Sequence, residues 1–460
     1  MATISSTGIG SGLDINSLVT QLVAAERAAP EQRINRDTSK VTTEFTAMAT
    51  LKGAMSSFQA AVNALKGADA FAPRKATVSD EEAFTASVTS KAAAGNYDVE
   101  VVQLATAARV GSALFPAGPD SVVGTGTLTV AMGDKSFSVD ITSDNSLAAI
   151  RDAINSSKDN PGVRATLIRD TSGSGSYLVL SGSKTGADNA ITVSSTGADA
   201  GLAQLVTDFQ TVDPDRDVTA QDAIVFVSGY EIHSDTNKVS GAIDGVTLSL
   251  KKAEDGALVS LNVERDDATI QKRAETFVSA YNVLAQQIAS LSRYDATTKT
   301  GGPLLGDSML RSLDSQVRRI LSQPVAGATG GYTTLASLGI TTNVNGTLQL
   351  DASRFSDALA ADPDAVSRIF TATDSGVAPR LADFLQTKLS STGEFAARDQ
   401  RIADKRRDLA KQTDALDVRM EMIQARYMKQ FTALDSMLSQ LQSTSSYLSQ
   451  QTTSLQNLNK

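Results

Sequence analysis

Apolar residues recur in two rhythms along this 460-residue chain. Near both ends they fall every seven residues on paired ladders, the spacing of a helix face. Ile34, Val41, Met48, Met55 and Val62 form one ladder, with Leu51, Phe58 and Leu65 beside it. Ile270, Phe277, Leu284 and Leu291 form another seam, with Tyr281 and Ile288 between them. The longest seam places Ile402, Leu409, Leu416, Ile423 and Met437 on one ladder. Met420, Tyr427, Leu434, Leu441, Leu448 and Leu455 lie on its partner, and Gln430 is the break. From about 75 to 265 the period drops to two, and Thr, Val, Ser and Gly dominate. There Leu128 and Val130 face Phe137, Val139 and Ile141 across a turn at Gly133-Asp134, a hairpin pattern.

These rhythms predict an α+β multidomain protein. A coiled-coil-like helical stalk or leg comes from both chain ends, with β-rich head domains inserted between them. The expected boundaries are 1–40 and 399–460 for terminal helices, and 41–75 with 268–398 for a helical leg. A β-rich head is expected over 76–108 and 218–267, with a second head, 109–217, inserted in the first. The ladders over 41–65 and 270–291 read as an intramolecular bundle core. Leu434 to Leu455 and Leu18 to Val23 read instead as seams awaiting a neighbour, because neutral Ser, Thr, Gln and Asn flank them. Such flanks are weak helix formers, so the tail is expected to be helical only when its seam is covered.

The glycine run GIGSG at Gly8–Gly12 invites comparison with a phosphate loop. Such a loop needs a preceding strand to aim it, and only seven residues precede Gly8. Position 13 is leucine, and no G-K-[ST] follows. A leader followed by a helix capped at Asp14 accounts for the same letters. Ile15, Leu18, Val19, Leu22 and Val23 give that helix its apolar stripe, and Pro30 is expected to interrupt it.

Composition narrows the chemistry. The chain has no cysteine and one histidine, His233, so thiolate chemistry and the usual nitrogen–sulfur metal sites are excluded. No carboxylate partner for His233 is evident in GYEIHSDTN, and it reads as a polar strand residue. No calcium loop of the D-x-[DN]-x-[DN]-G type occurs, and no cofactor is expected. A net charge of −9 disfavours nucleic acid and anionic membranes. No apolar run is long enough to span a bilayer, and the N-terminal stretch lacks the pattern of a Sec-type signal. A glycan-cleaving enzyme built on carboxylates is a rival reading, but no motif pairs two carboxylates and aromatics for stacking sugars are only 5% of residues.

The segment GIGSGLDINSLVTQLVAAERAAP resembles the N-terminal signature of the flagellar hook-associated protein 2 family, the flagellar filament caps. Gly8, Gly10, Gly12, Leu13, Asp14, Leu18, Val19, Leu22, Glu26 and Pro30 carry the match. NSLAAIRDAINSSKDNPGVRATLIRDTSGSGSYLVLSGSKTGADNAITV is similar to a repeat shared by flagellins and hook-associated proteins. AQDAIVFVSGYEIHSDTNKVSGAIDGVTLSLKKA and LASLGITTNVNGTLQLDASRFSDALAADPDAVSRIF resemble two further family segments. The resemblance implies a non-enzymatic, extracellular ring-like homo-oligomer, exported by the flagellar type III apparatus. Its implied partners are flagellin, the hook-associated junction proteins and an export chaperone on the C-terminal region. Leu13, Leu18, Leu22, Leu434, Leu441, Leu448 and Leu455 are the expected filament or neighbour contacts. Adhesion to a host surface or mucin through the heads, and a place at the hook–filament junction, are the alternatives.

Overall fold

The computed structural model describes residue 12 and residues 14–458, apart from 143, 172, 174, 298 and 328–330, with side chains to 454. Its helices are α1 (Ile15–Asn63), α2 (Leu147–Ser156), α3 (Ala200–Gln210), α4 (Asp267–Ser292), α5 (Ser308–Ser322), α6 (Ala352–Ala361), α7 (Pro363–Thr371), α8 (Val377–Leu389) and α9 (Glu394–Leu458). The chain divides into two units, Phe71–Ile270 and the two flanking segments Met1–Ala70 with Gln271–Lys460.

The inner unit is β-rich and has two cores. The strands of the first are β1 (Arg74–Val78), β2 (Phe84–Val88) and β3 (Gly95–Gln103), and those of the second are β4 (Ala107–Gly111), β5 (Gly126–Met132), β6 (Lys135–Ile141), β7 (Val163–Arg169), β8 (Ser176–Thr185) and β9 (Ile191–Thr196). The chain then returns to the first core with β10 (Ala223–Val227), β11 (Tyr230–Ser234), β12 (Lys238–Ile243), β13 (Val246–Leu250) and β14 (Val259–Arg265). A sheet of order β1-β14-β3-β10-β11 shares its core with β12-β13-β2. Val99, Val225, Leu261, Phe84 and Leu248 are buried there, one from each alternate position of its strand. The second core joins β6-β5-β9 and β4-β8-β7 to α2 and α3 through Leu128, Phe137, Ile150, Leu180 and Leu205. The expected turn between β5 and β6 is present, with Gly133 at φ +63°.

In the flanking unit, the ladders of α1 and α4 are buried as a bundle core. Phe58 on α1 lies 5.5 Å from Phe277 and 5.8 Å from Tyr281 on α4. Phe370 on α7 meets Phe277 edge-on at 6.0 Å. Tyr281 donates its hydroxyl to the Gly346 carbonyl at 2.9 Å, and burial pushes its pKa up. Asp307, Asp351 and Asp362 cap α5, α6 and α7 with their carboxylates.

Two sequence expectations are corrected here. Pro30 does not interrupt α1, which is continuous from Ile15 to Asn63. Packing supplies the reason, because α1 contacts α9 on both sides of the proline, through Arg27 and through Ile34. The tail is also helical to Leu458 although its seam is uncovered. Extending a helix already nucleated by packing costs little compared with starting one.

Candidate functional site

The terminal helices run antiparallel and are joined by charge pairs. Arg27 on α1 meets Asp417 on α9 at 2.6 Å, and Lys52 meets Asp399 at 3.1 Å. Arg398 binds Glu44 at 2.6 Å and Asp307, the α5 cap, at 3.1 Å. The hydrogen bond from Arg27 to Asp417 holds that guanidinium above its usual pKa. Ile34 is buried in one cluster with Leu416, Met420 and Ile423, and Val23 and Tyr427 pack on it.

Asp14 caps α1, its carboxylate accepting the Ser17 N–H at 3.1 Å. Ile15 and Val19 then turn inward and are buried. Leu18 and Leu22, one helical turn apart, stay on the surface at 38% and 37% exposure. On α9 the seam divides. Ile402, Leu416, Met420 and Ile423 are buried and Leu409 and Tyr427 half-buried, but beyond Gln430 the half-buried or buried positions are Phe431, Thr432, Asp435 and Leu438. The sequence ladder leaves the interface at that point. Leu434, Leu441 and Leu448 are 55%, 55% and 57% exposed, with Met437 and Tyr447 exposed among them. Every residue from Ser439 to Ser454 is exposed.

The structure thus brings Leu434, Leu441 and Leu448 onto one uncovered helix face and leaves Leu18 and Leu22 uncovered on α1. Gly12 adopts φ +73°, a conformation suited to glycine. Gly8, Gly10, Leu13 and the side chain of Leu455 lie outside the described residues. Sequence reasoning missed Phe431, Asp435 and Leu438 as the inward positions. The signal was there, since Gln430 breaks the ladder one residue before the apolar Phe431. His233 is also corrected: Glu231, two residues earlier on the same strand face, lies 2.9 Å from its Nε2. A period of two makes residues i and i+2 neighbours, which the linear reading overlooked.

Among the described residues no His, Asp and Glu cluster is arranged to hold a metal ion, and no helix is long and apolar enough to cross a membrane. A long antiparallel helical pair with an exposed apolar seam, and a β-rich unit inserted in its chain, defines a class of long-helix proteins with a face open to packing.

Comparison with known proteins specifies the class. Residues 11–108 match the flagellar hook-associated protein 2 N-terminus, residues 220–443 match the corresponding C-terminus, and residues 127–184 match the flagellin hook IN motif. The A-type flagellar hook-associated protein 2 of Pseudomonas aeruginosa is 33% identical, covering 98% of each chain. Flagellar hook-associated protein 2 of Escherichia coli K12 is 35% identical, again over 98% of each. The crystal structure of the D1-D2-D3 domains of the E. coli flagellar cap protein FliD superposes with a TM-score of 0.65 at 32% identity, covering 77% of this chain and 99% of that one. The chain belongs to the flagellar hook-associated protein 2 family, the flagellar cap proteins. It is an extracellular cap at the tip of the flagellar filament.

Proposed function

We propose that this cap retains exported flagellin and promotes its polymerisation, and that the uncovered seam of the terminal helices makes the contact. The single observation behind this reading is the exposure of Leu434, Leu441 and Leu448 on a helix that continues well past its partner. Burying each leucine contributes roughly 1.5–3 kcal/mol, less the cost of ordering. Several such residues give an attachment that is firm yet reversible as new subunits enter. Leu18 and Leu22 add a second strip, and Leu13 and Leu455 extend the two strips in sequence. The C-terminal region serves as the site for an export chaperone before secretion, and the chain assembles with copies of itself and adjoins the hook-associated junction proteins. The finer division of the chain into terminal helices, leg, head and inserted head, at the boundaries given above, belongs to this proposal.

The test is Leu441→Asp with Leu448→Asp in a flagellated host lacking the wild-type gene. Expected results are lost motility and unpolymerised flagellin in the medium, with the variant itself still exported. Filaments of normal length from the double variant refute the seam as the contact.

A further inference from the structure

The chain has nine methionines and no cysteine, so thioether sulfur is the only sulfur it offers to an oxidant. The fold sorts these methionines sharply. Met48, Met55, Met132 and Met420 are buried, none above 4% exposure. Met309 and Met428 are half-buried. Among the described residues only Met422 and Met437 are exposed, both at 63%. Both stand on α9, so the same helix offers two thioethers of equal access.

Their settings differ. Met422 lies where α9 is paired with α1, and the buried Met420 and Ile423 on either side of it face that partner. Met422 is therefore on the far side of the helix, off the seam. Met437 is in the seam. It follows Leu434 by three residues and precedes Leu441 by four, so the three side chains share one helix face. Those leucines are each 55% exposed. A reduced thioether is apolar and adaptable, and it extends the leucine strip. A sulfoxide at the same place is polar, and neither leucine side chain can donate a hydrogen bond to its oxygen.

We propose that Met437 is a modification site at which oxidation to the sulfoxide loosens the hold of the seam on flagellin, and reduction restores it. This rests on the reading above that Leu434, Leu441 and Leu448 make that contact. The oxidant is hydrogen peroxide in the medium around the extracellular cap. The Met437 sulfur gives an electron pair to one peroxide oxygen. The S–O bond forms, the O–O bond breaks, and the second oxygen leaves with both protons as water. Sulfur is oxidised by two electrons and the peroxide is reduced by two. A partner closing over α9 then has to bury the new oxygen unpaired, which opposes the contact. Methionine sulfoxide reductases, one for each sulfoxide epimer, reverse the step with a dithiol as electron donor, and the oxygen leaves as water.

The test treats the full-length chain with limited hydrogen peroxide, locates the sulfoxides by peptide mass spectrometry and measures flagellin binding before and after. Sulfoxide is expected at Met422 and Met437 to similar extents, with Met48, Met55, Met132 and Met420 intact. Binding is expected to weaken about tenfold or more and to return after treatment with both reductases. The Met422→Leu chain is expected to lose as much on oxidation as wild type does. Met437→Leu, compared with its own untreated sample, is expected to lose less than about twofold, because the seam then carries no sulfur. A loss as large in Met437→Leu as in wild type overturns the proposal. So does full binding by a chain whose Met437 is wholly oxidised, or a Met437 left unoxidised beside an oxidised Met422. Flagellin binding that survives Leu441→Asp with Leu448→Asp overturns the seam reading itself.

Discussion

Leu434 and Asp435 are adjacent on α9, yet the leucine is exposed and the aspartate buried. The inward face there runs through Tyr427, Phe431, Asp435 and Leu438, close to the straight-helix period of about 3.6 residues. The sequence ladder keeps a strict period of seven, and an undistorted helix drifts about 20° against it per heptad. Up to Tyr427 one set of residues satisfies both periods. Beyond Gln430 the sets separate, and the ladder faces outward.

This separation gives the outward seam a distinctive electrostatic character. No charged residue occurs between Asp435 and Lys460. Attachment through Leu434, Leu441 and Leu448 is therefore expected to change less than about twofold between roughly 50 and 500 mM salt, since screening acts only on charge. Binding of the chain to flagellin across a salt series checks this. A tenfold loss at high salt assigns the contact to a charged surface elsewhere.

Two substitutions separate core from contact. Phe277 is fully buried against Phe58 and Phe370, so Phe277→Ala should cost about 3–5 kcal/mol of folding stability. Leu448→Ala, on the exposed ladder, should stay within about 0.5 kcal/mol. Denaturant titration of both variants makes the comparison. A large loss from Leu448→Ala means that the seam is an internal packing face after all.

How much of this was legible follows from which forces act locally. The bundle ladders, the Asp14 cap and the Gly133-Asp134 turn are set by residues close in sequence, and they could be read. Which ladder residues face α9's partner could not, because helix phase after Gln430 is decided by where α1 lies. The His233–Glu231 pair was hidden by strand alternation, and the continuity of α1 through Pro30 by packing that overrides a local helix breaker. The hollow lined by Arg109, Ile168, Tyr177 and Arg216 has no linear signal at all, because its residues come from β4, β7, β8 and the 213–217 turn and meet only in the folded sheet.

Asp199 should make the inner unit acid-sensitive. Its carboxylate accepts the Leu202 N–H at 3.0 Å, the Thr125 N–H at 2.7 Å and the Gly201 N–H at 3.1 Å, joining the start of α3 to the 123–125 segment. These bonds, the Leu202 one foremost, hold its pKa below the ordinary value. The approach is tight, since a Cβ at Gly201 would come within 1.9 Å of the Val123 carbonyl. A depressed carboxylate contributes stability above its unfolded pKa of about 3.9 and loses it as pH falls through the lower folded value. Thermal melts from neutral pH downward should show this loss in wild type and a shallower one in Asp199→Asn. Equal slopes in the two proteins discount Asp199 as the source.

Asn155 and Asn160 act as stand-in strands along the free edge of β7. Asn155 gives its amide nitrogen to the Ala165 carbonyl at 2.8 Å and takes the Ala165 N–H at 2.9 Å. Asn160 does the same for Val163 at 2.7 Å in both directions. An open edge is a template for another chain. Asn155→Ala should cost about 1–3 kcal/mol, from two lost bonds to part-buried backbone groups. It should also raise aggregation at concentrations where wild type stays clear in light scattering. Unchanged scattering with lowered stability would limit these asparagines to a folding role.

Pro30 gives the sharpest test of how firmly the terminal helices grip each other. It has no N–H for the Glu26 carbonyl, and proline inside a helix costs about 3 kcal/mol relative to alanine. Helix α1 is nonetheless continuous across it. The offset comes from contacts flanking the proline, with Arg27 on Asp417 and Glu31 before it and Ile34 in the Leu416–Met420–Ile423 cluster after it. Pro30→Ala should therefore stabilise the α1–α9 pair by up to about 3 kcal/mol. Asp417→Ala combined with Pro30 should loosen the segment before residue 30 more than Asp417→Ala combined with alanine there. Hydrogen exchange of the amides from 18 to 29 reads both effects. Protection that rises in Pro30→Ala and falls further in Asp417→Ala only when the proline is present identifies tertiary packing as what carries the helix across. Equal protection in all four backgrounds shows that the segment holds its helix without help from α9.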